Sequence, residues 1–96
     1  MSGTARFKFR LYIAGDAENS TRARANFLAI CDEHLAGRYE VEIIDVFRHP
    51  GRALEDGILM TPTLVKLAPS PVRRIVGTLS HIEPVLQAFG LNRSSP

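Results

Sequence analysis

Phe7-Lys8-Phe9-Arg10-Leu11-Tyr12-Ile13 alternates at every step, with Phe7, Phe9, Leu11 and Ile13 facing one way and Lys8, Arg10 and Tyr12 the other. A period of two marks a strand with one buried face. Ala14-Gly15-Asp16 supplies the turn that ends it. The period then changes. Ala23, Phe27, Ile30, Cys31 and Leu35 recur at steps of three and four, which predicts a helix over about residues 20–36. Asn19 or Ser20 is placed to cap its start and Gly37 to cap its end. Tyr39 to Val46, rich in β-branched residues, reads as a second strand. Its adjacent pair Ile43-Ile44 implies that both faces are covered, as in a central strand. Strand, helix and strand make a βαβ unit, whose two strands run parallel.

Outward from this unit the elements shorten. Pro50 suits the first position of a short helix through Asp56, with Gly57 closing it and Leu54 and Ile58 as its anchors. Thr61 to Leu67 and Val72 to Val76 read as two strands joined by a turn over Ala68 to Pro71, hence a hairpin. Ser80-His81-Ile82-Glu83 has the spacing of a capping box, followed by an apolar stripe of Ile82, Val85, Leu86 and Phe89 and a closing Gly90. The predicted order is β-α-β-α-β-β-α. Residues 7–91 form the expected domain, with a disordered leader over 1–6 and a flexible tail over 92–96.

Composition narrows the function. The 96 residues are 45% apolar and 23% charged, enough for one core. The longest wholly apolar run, Phe27 to Cys31, falls far short of the roughly 20 residues that span a bilayer. The start carries no apolar signal-like segment, so a cytoplasmic location is expected. Twelve Lys and Arg against ten Asp and Glu leave a net charge of +2, too little excess to imply nucleic acid as a partner. The single cysteine, Cys31, rules out an intrachain disulfide and any CxxC motif. It lies on the apolar stripe of the first helix, where a packing role is expected. His34, His49 and His81 fall on separate elements without metal-ligand spacing, and Asp45 is expected to be structural. No paired carboxylates or P-loop occur, so no catalytic, cofactor-binding or metal-binding residue is assigned.

The order of elements is thioredoxin-like, and particular stretches are more specific. Phe9-Arg10-Leu11-Tyr12-Ile13-Ala14-Gly15, the Val41 to Val46 strand with Asp45, Thr61-Pro62-Thr63-Leu64, and Pro69-Ser70-Pro71-Val72-Arg73-Arg74-Ile75-Val76-Gly77 resemble the KaiB family of circadian-clock proteins. The resemblance runs over about residues 7–90. It implies a noncatalytic protein without a cofactor that docks onto a KaiC-like ATPase and kinase ring. A KaiA-like protein is a further implied partner where the host has one. It also implies self-association as dimer or tetramer, and an alternative, fold-switched tetrameric state that differs in the C-terminal half. Two other readings stand beside it: a thioredoxin-like redox sensor using Cys31, and a sensory or dimerisation module like the N-terminal domain of the kinase SasA. The loop Gly15 to Ser20, where thioredoxins carry their CxxC pair, has no cysteine. Departures from the family pattern include Asp16-Ala17-Glu18, His49 before Pro50, and Glu42 and Gly57 at positions where the family often has lysine.

Seven residues are candidates for partner binding or switching. Arg73 and Arg74, being adjacent on a strand, point to opposite faces, and Lys66 on the neighbouring strand joins one of them. Tyr12 is the expected exposed aromatic on the sheet, and Arg22 lies on the wet side of the first helix. Pro62 is expected in cis, as is the equivalent proline of thioredoxin-like folds. Ala88 stands where family members commonly have glycine, and it favours a final helix by about 1 kcal/mol.

Overall fold

The computed structural model describes residues 6–91, so the expected tail over 92–96 and all of the expected leader over 1–6 except Arg6 lie outside the described residues. Strand β1 (Phe7–Ile13) is followed by helix α1 (Glu18–His34), strand β2 (Tyr39–Asp45), helix α2 (Pro50–Glu55), strands β3 (Thr63–Ala68) and β4 (Arg73–Val76), and helix α3 (Ile82–Phe89). This is the thioredoxin-like order read from the sequence. The four strands form one sheet in the order β2-β1-β3-β4, with β1 and β2 parallel and β3 antiparallel to both β1 and β4.

The alternation of β1 sorts two cores onto the two faces of the sheet. Phe7, Phe9, Leu11 and Ile13 join Phe27, Ile30 and Cys31 of α1, Leu64 of β3 and Val85, Leu86 and Phe89 of α3. Phe9 sits at the centre of the aromatic part, 5.0 Å from the Phe27 ring and 4.9 Å from that of Phe89. The other face carries a smaller core of Tyr12, Ile44, Ala53 and Val65 beneath α2, with Ile58 packed against it.

Several expectations are corrected. Strand β2 is an edge, yet Ile43 and Ile44 are both covered because each core reaches across to it from β1. Leu54 is 80% exposed and does not anchor α2; Ala53 and Ile58 do, since a helix this short turns only one narrow stripe to the sheet. Helix α1 starts at Glu18 without a side-chain cap. Ser20 is instead buried, its Oγ accepting from the Ala14 amide at 2.9 Å. Ser80 is not the cap: α3 begins at Ile82, after His81, without a side-chain cap bond, and the Ser80 hydroxyl lies 3.0 Å from that of Thr78. Gly90 does end α3, with the left-handed φ of 82° that favours a residue without Cβ.

Candidate functional site

The two ends of the sheet differ in chemistry. At the end where β1 finishes, Asp45 closes the strands together. Its Oδ1 accepts from the Gly15 amide at 3.1 Å and from the Phe47 amide at 2.9 Å, the structural role expected of it. Thr61-Pro62 is a cis peptide here, as expected. Around it the chain exposes large apolar side chains that no core claims. Leu59 is 94% exposed, and Phe47, Met60 and Val76 are each more than half exposed. Leu59, Met60 and Val76 share a hollow of about 220 Å³ with Gly57, Ile58 and Arg74. Arg22, four residues into α1, is exposed and paired with Glu18 at 3.0 Å.

Behind this end, on the α2 face, lies a polar network. The Tyr12 hydroxyl donates to Asp56 Oδ2, which also accepts from Arg10 Nη1 at 2.9 Å. Arg52 of α2 holds both carboxylate oxygens of Glu42 at 2.8 Å. Arg74 donates to the carbonyls of Asp56 and Gly57. Tyr12 is therefore corrected: it is fully buried, because α2 covers the face that the sequence reading left open. Burial, and then the bond to Asp56, push the tyrosine up to about 12. The same bond, followed by Arg10, holds the Asp56 carboxyl below the usual range.

The opposite end is cationic. Lys66 and Arg73 are direct cross-strand partners, so their side chains leave the sheet on the same face, the one α3 covers. Arg74 faces α2, as the opposition of neighbours on a strand requires. Lys66 is only 4% exposed, so it joins Arg73 as expected but from a buried position. It shares the walls of one cleft with the Pro69–Pro71 turn and the end of α3, which a linear pattern does not bring near. Burial first, and Arg73 second, lower its ammonium below the usual lysine range. Among the described residues Lys66 and Arg73 make no hydrogen bond or ion pair. Both line a cleft of about 450 Å³ with Arg38, Phe7, Pro69 and Pro71, and residues 87–91 close its far wall. Ala88, half-buried, is among them. The seven candidates thus divide: Lys66, Arg73 and Ala88 meet at this cleft, Tyr12 and Arg74 meet at Asp56, and Arg22 and Pro62 stand apart.

Cys31 is fully buried on the main core, and burial pushes its thiol up to about 12. Among the described residues no three His, Cys, Asp or Glu side chains are grouped to hold a metal ion. No described helix is long and apolar enough to cross a membrane.

The sequence model of the KaiB domain matches residues 10–91. The circadian clock protein KaiB3 of Synechocystis sp. is 49% identical over 81 residues, covering 84% of this chain and 79% of its own. The circadian clock oscillator protein KaiB of Microcystis aeruginosa is 46% identical over 85 residues, with 88% and 82% covered. Among solved structures, the N-terminal domain of Synechococcus elongatus SasA superposes with a TM-score of 0.74 over all of this chain and 94% of its own. At 16% identity that likeness speaks for the fold alone.

Proposed function

The chain belongs to the KaiB family, and from that premise we propose that it works in a clock or timer by docking onto a KaiC-like ATPase. Members of this family are noncatalytic regulators. The observation that carries the reading is the match over residues 10–91, set on a thioredoxin-like frame with no cysteine in the loop where that fold does redox chemistry. A Cys31 redox sensor is disfavoured, because the thiol is buried and its pKa is raised rather than lowered.

The docking surface on this reading is the end of the sheet around Pro62. Clustered apolar side chains exposed to water favour burial against a partner. Leu59, Met60 and Val76 supply such a patch, with Arg74 at its edge. Arg22, at the start of α1, is a charged contact within reach of the same partner. A KaiA-like protein, where present, is a second partner in this proposal, and the chain acts in the cytoplasm. Self-association as dimer or tetramer, with an alternative packing of the C-terminal half, is part of the same proposal.

The test is co-elution with the host's KaiC-like protein in its ATP and ADP states, followed by light scattering. Complex formation in one state is expected, with Leu59→Asp weakening it at least about tenfold. Absence of any complex in every nucleotide state overturns the reading.

A further inference from the structure

We propose that the cleft between β4 and the end of α3 binds a phosphate monoester, with Lys66, Arg73 and Arg38 holding the phosphate and Phe7, Pro69 and Pro71 flanking its organic part. This site lies at the far end of the sheet from the proposed docking surface and does not depend on that reading.

Charge is the first argument. Among the described residues three cations line the cleft and no acidic side chain does. The carbonyl end of α3 shares it, but a helix terminus offers only about half a negative charge. An excess of positive charge therefore stays uncompensated. Lys66 makes the case sharper than a surface cluster would. It is nine-tenths buried and more, has no acid or acceptor among the described residues, and stands directly across from a second cation. Like charges in that register destabilise a sheet. A bound anion offsets that repulsion.

Donor geometry selects the anion. Two guanidinium forks match the paired oxygens of phosphate or carboxylate, and an ammonium adds a point charge. Arg38 gives one N–H to the His34 carbonyl at 3.2 Å, which leaves the rest of its fork available. A phosphate monoester brings about −1.5 to −2 charges, closer to the excess than the single charge of a carboxylate. The cleft, about 450 Å³, lies within the range of small-ligand sites, roughly 300–1,000 Å³. The apolar side chains beside the cations suit an ester better than bare phosphate. The ester can be a small molecule or a phosphorylated side chain of another protein, since both present the same group.

The experiment is an NMR titration of the full chain with phenyl phosphate, at ionic strength held constant with sodium chloride. A phosphoserine peptide forms a second arm and benzoate the control. Saturable shifts at Lys66, Arg73 and residues 87–91 are expected with phenyl phosphate and not with benzoate. Lys66→Met and Arg73→Gln should each weaken binding at least about tenfold, while Arg24→Gln on exposed α1 leaves it unchanged. Arg73 is exposed, so its variant carries the test should Lys66→Met fail to fold. Tighter binding of the peptide assigns the site to a modified protein, and tighter binding of phenyl phosphate to a small molecule. Absence of saturation in both phosphate arms, equal shifts with benzoate, or unaltered binding by the folded variants overturns the proposal.

Discussion

The hydroxyl of Tyr12 donates to the carboxylate of Asp56, a residue 44 positions later in the chain, and so ties the central strand β1 to the segment that ends α2. Arg10 of the same strand reaches the same carboxylate oxygen. Helix α2 is too short to persist by its own hydrogen bonds. Its place on the sheet rests on Ala53, on the Arg52–Glu42 pair and on this junction.

Tyr12→Phe removes the donor and keeps the ring. The loss expected is about 1–2 kcal/mol, since the acceptor is a carboxylate, and a Tm lower by about 5–15 °C. Asp56→Ala should cost more, about 2–3 kcal/mol, because it leaves the buried hydroxyl and Arg10 without their acceptor. Urea unfolding followed by circular dichroism measures both. Equal stability of wild type and Tyr12→Phe would show that the junction contributes nothing.

The same junction sets a pH dependence. The Tyr12 bond and Arg10 depress Asp56, and the Arg52 bond depresses Glu42, both in the folded state. A depressed carboxyl stabilises the fold above its unfolded pKa, about 4, and that stability is lost as pH falls through the lower folded value. Tyr12 acts at the other limit. Its folded pKa is raised to about 12, so its contribution is complete below pH 10 and lost between about 10 and 12. Urea midpoints at acid, neutral and alkaline pH should trace a plateau with two falling limbs. Asp56→Asn should flatten the acid limb, and acid limbs that run parallel in the two proteins would refute the assignment.

Cys31 should be inert in the native protein. It is fully buried with its thiol raised to about 12, so a thiolate is scarce and a reagent has no path to it. Labelling by a chromogenic disulfide should follow the opening of the core and accelerate with urea. Immediate labelling in buffer is the outcome that would restore the redox reading.

The larger core was legible because its signals are periodic. The alternation of Phe7 to Ile13 and the stripe Phe27, Ile30, Cys31 needed no knowledge of what packs where. What the sequence concealed depends on neighbours distant along the chain. Tyr12 reads as exposed until α2 is laid across its face, and the covered pair Ile43-Ile44 was the available sign that both faces are used. Lys66 has the same phase along β3 as buried Leu64, yet its charge argued for water. The Pro69–Pro71 turn and the end of α3 stand around the same cleft as Lys66, a neighbourhood that no local pattern announces. Asp56 could not have been singled out at all, since its partners lie on β1 and it has no local motif.

Ala88 allows a test of how far the final helix depends on local preference. It occupies the penultimate position of α3, half-buried against the main core, in a helix that has no side-chain cap at its start. Without a side-chain cap bond, the helix draws on the burial of Val85, Leu86 and Phe89, on the Gly90 cap and on the propensity of residues such as this one. Ala88→Gly should lower stability by about 1 kcal/mol through backbone entropy alone. If the C-terminal half has the alternative packing proposed above, the same change raises its share about fivefold. Carbon secondary shifts over residues 80–90 read both effects: weaker helical shifts are expected, with a second set of strand-like shifts where the alternative is populated. Unchanged shifts and unchanged stability would mean that packing of the apolar stripe, and not propensity at residue 88, holds this end of the chain.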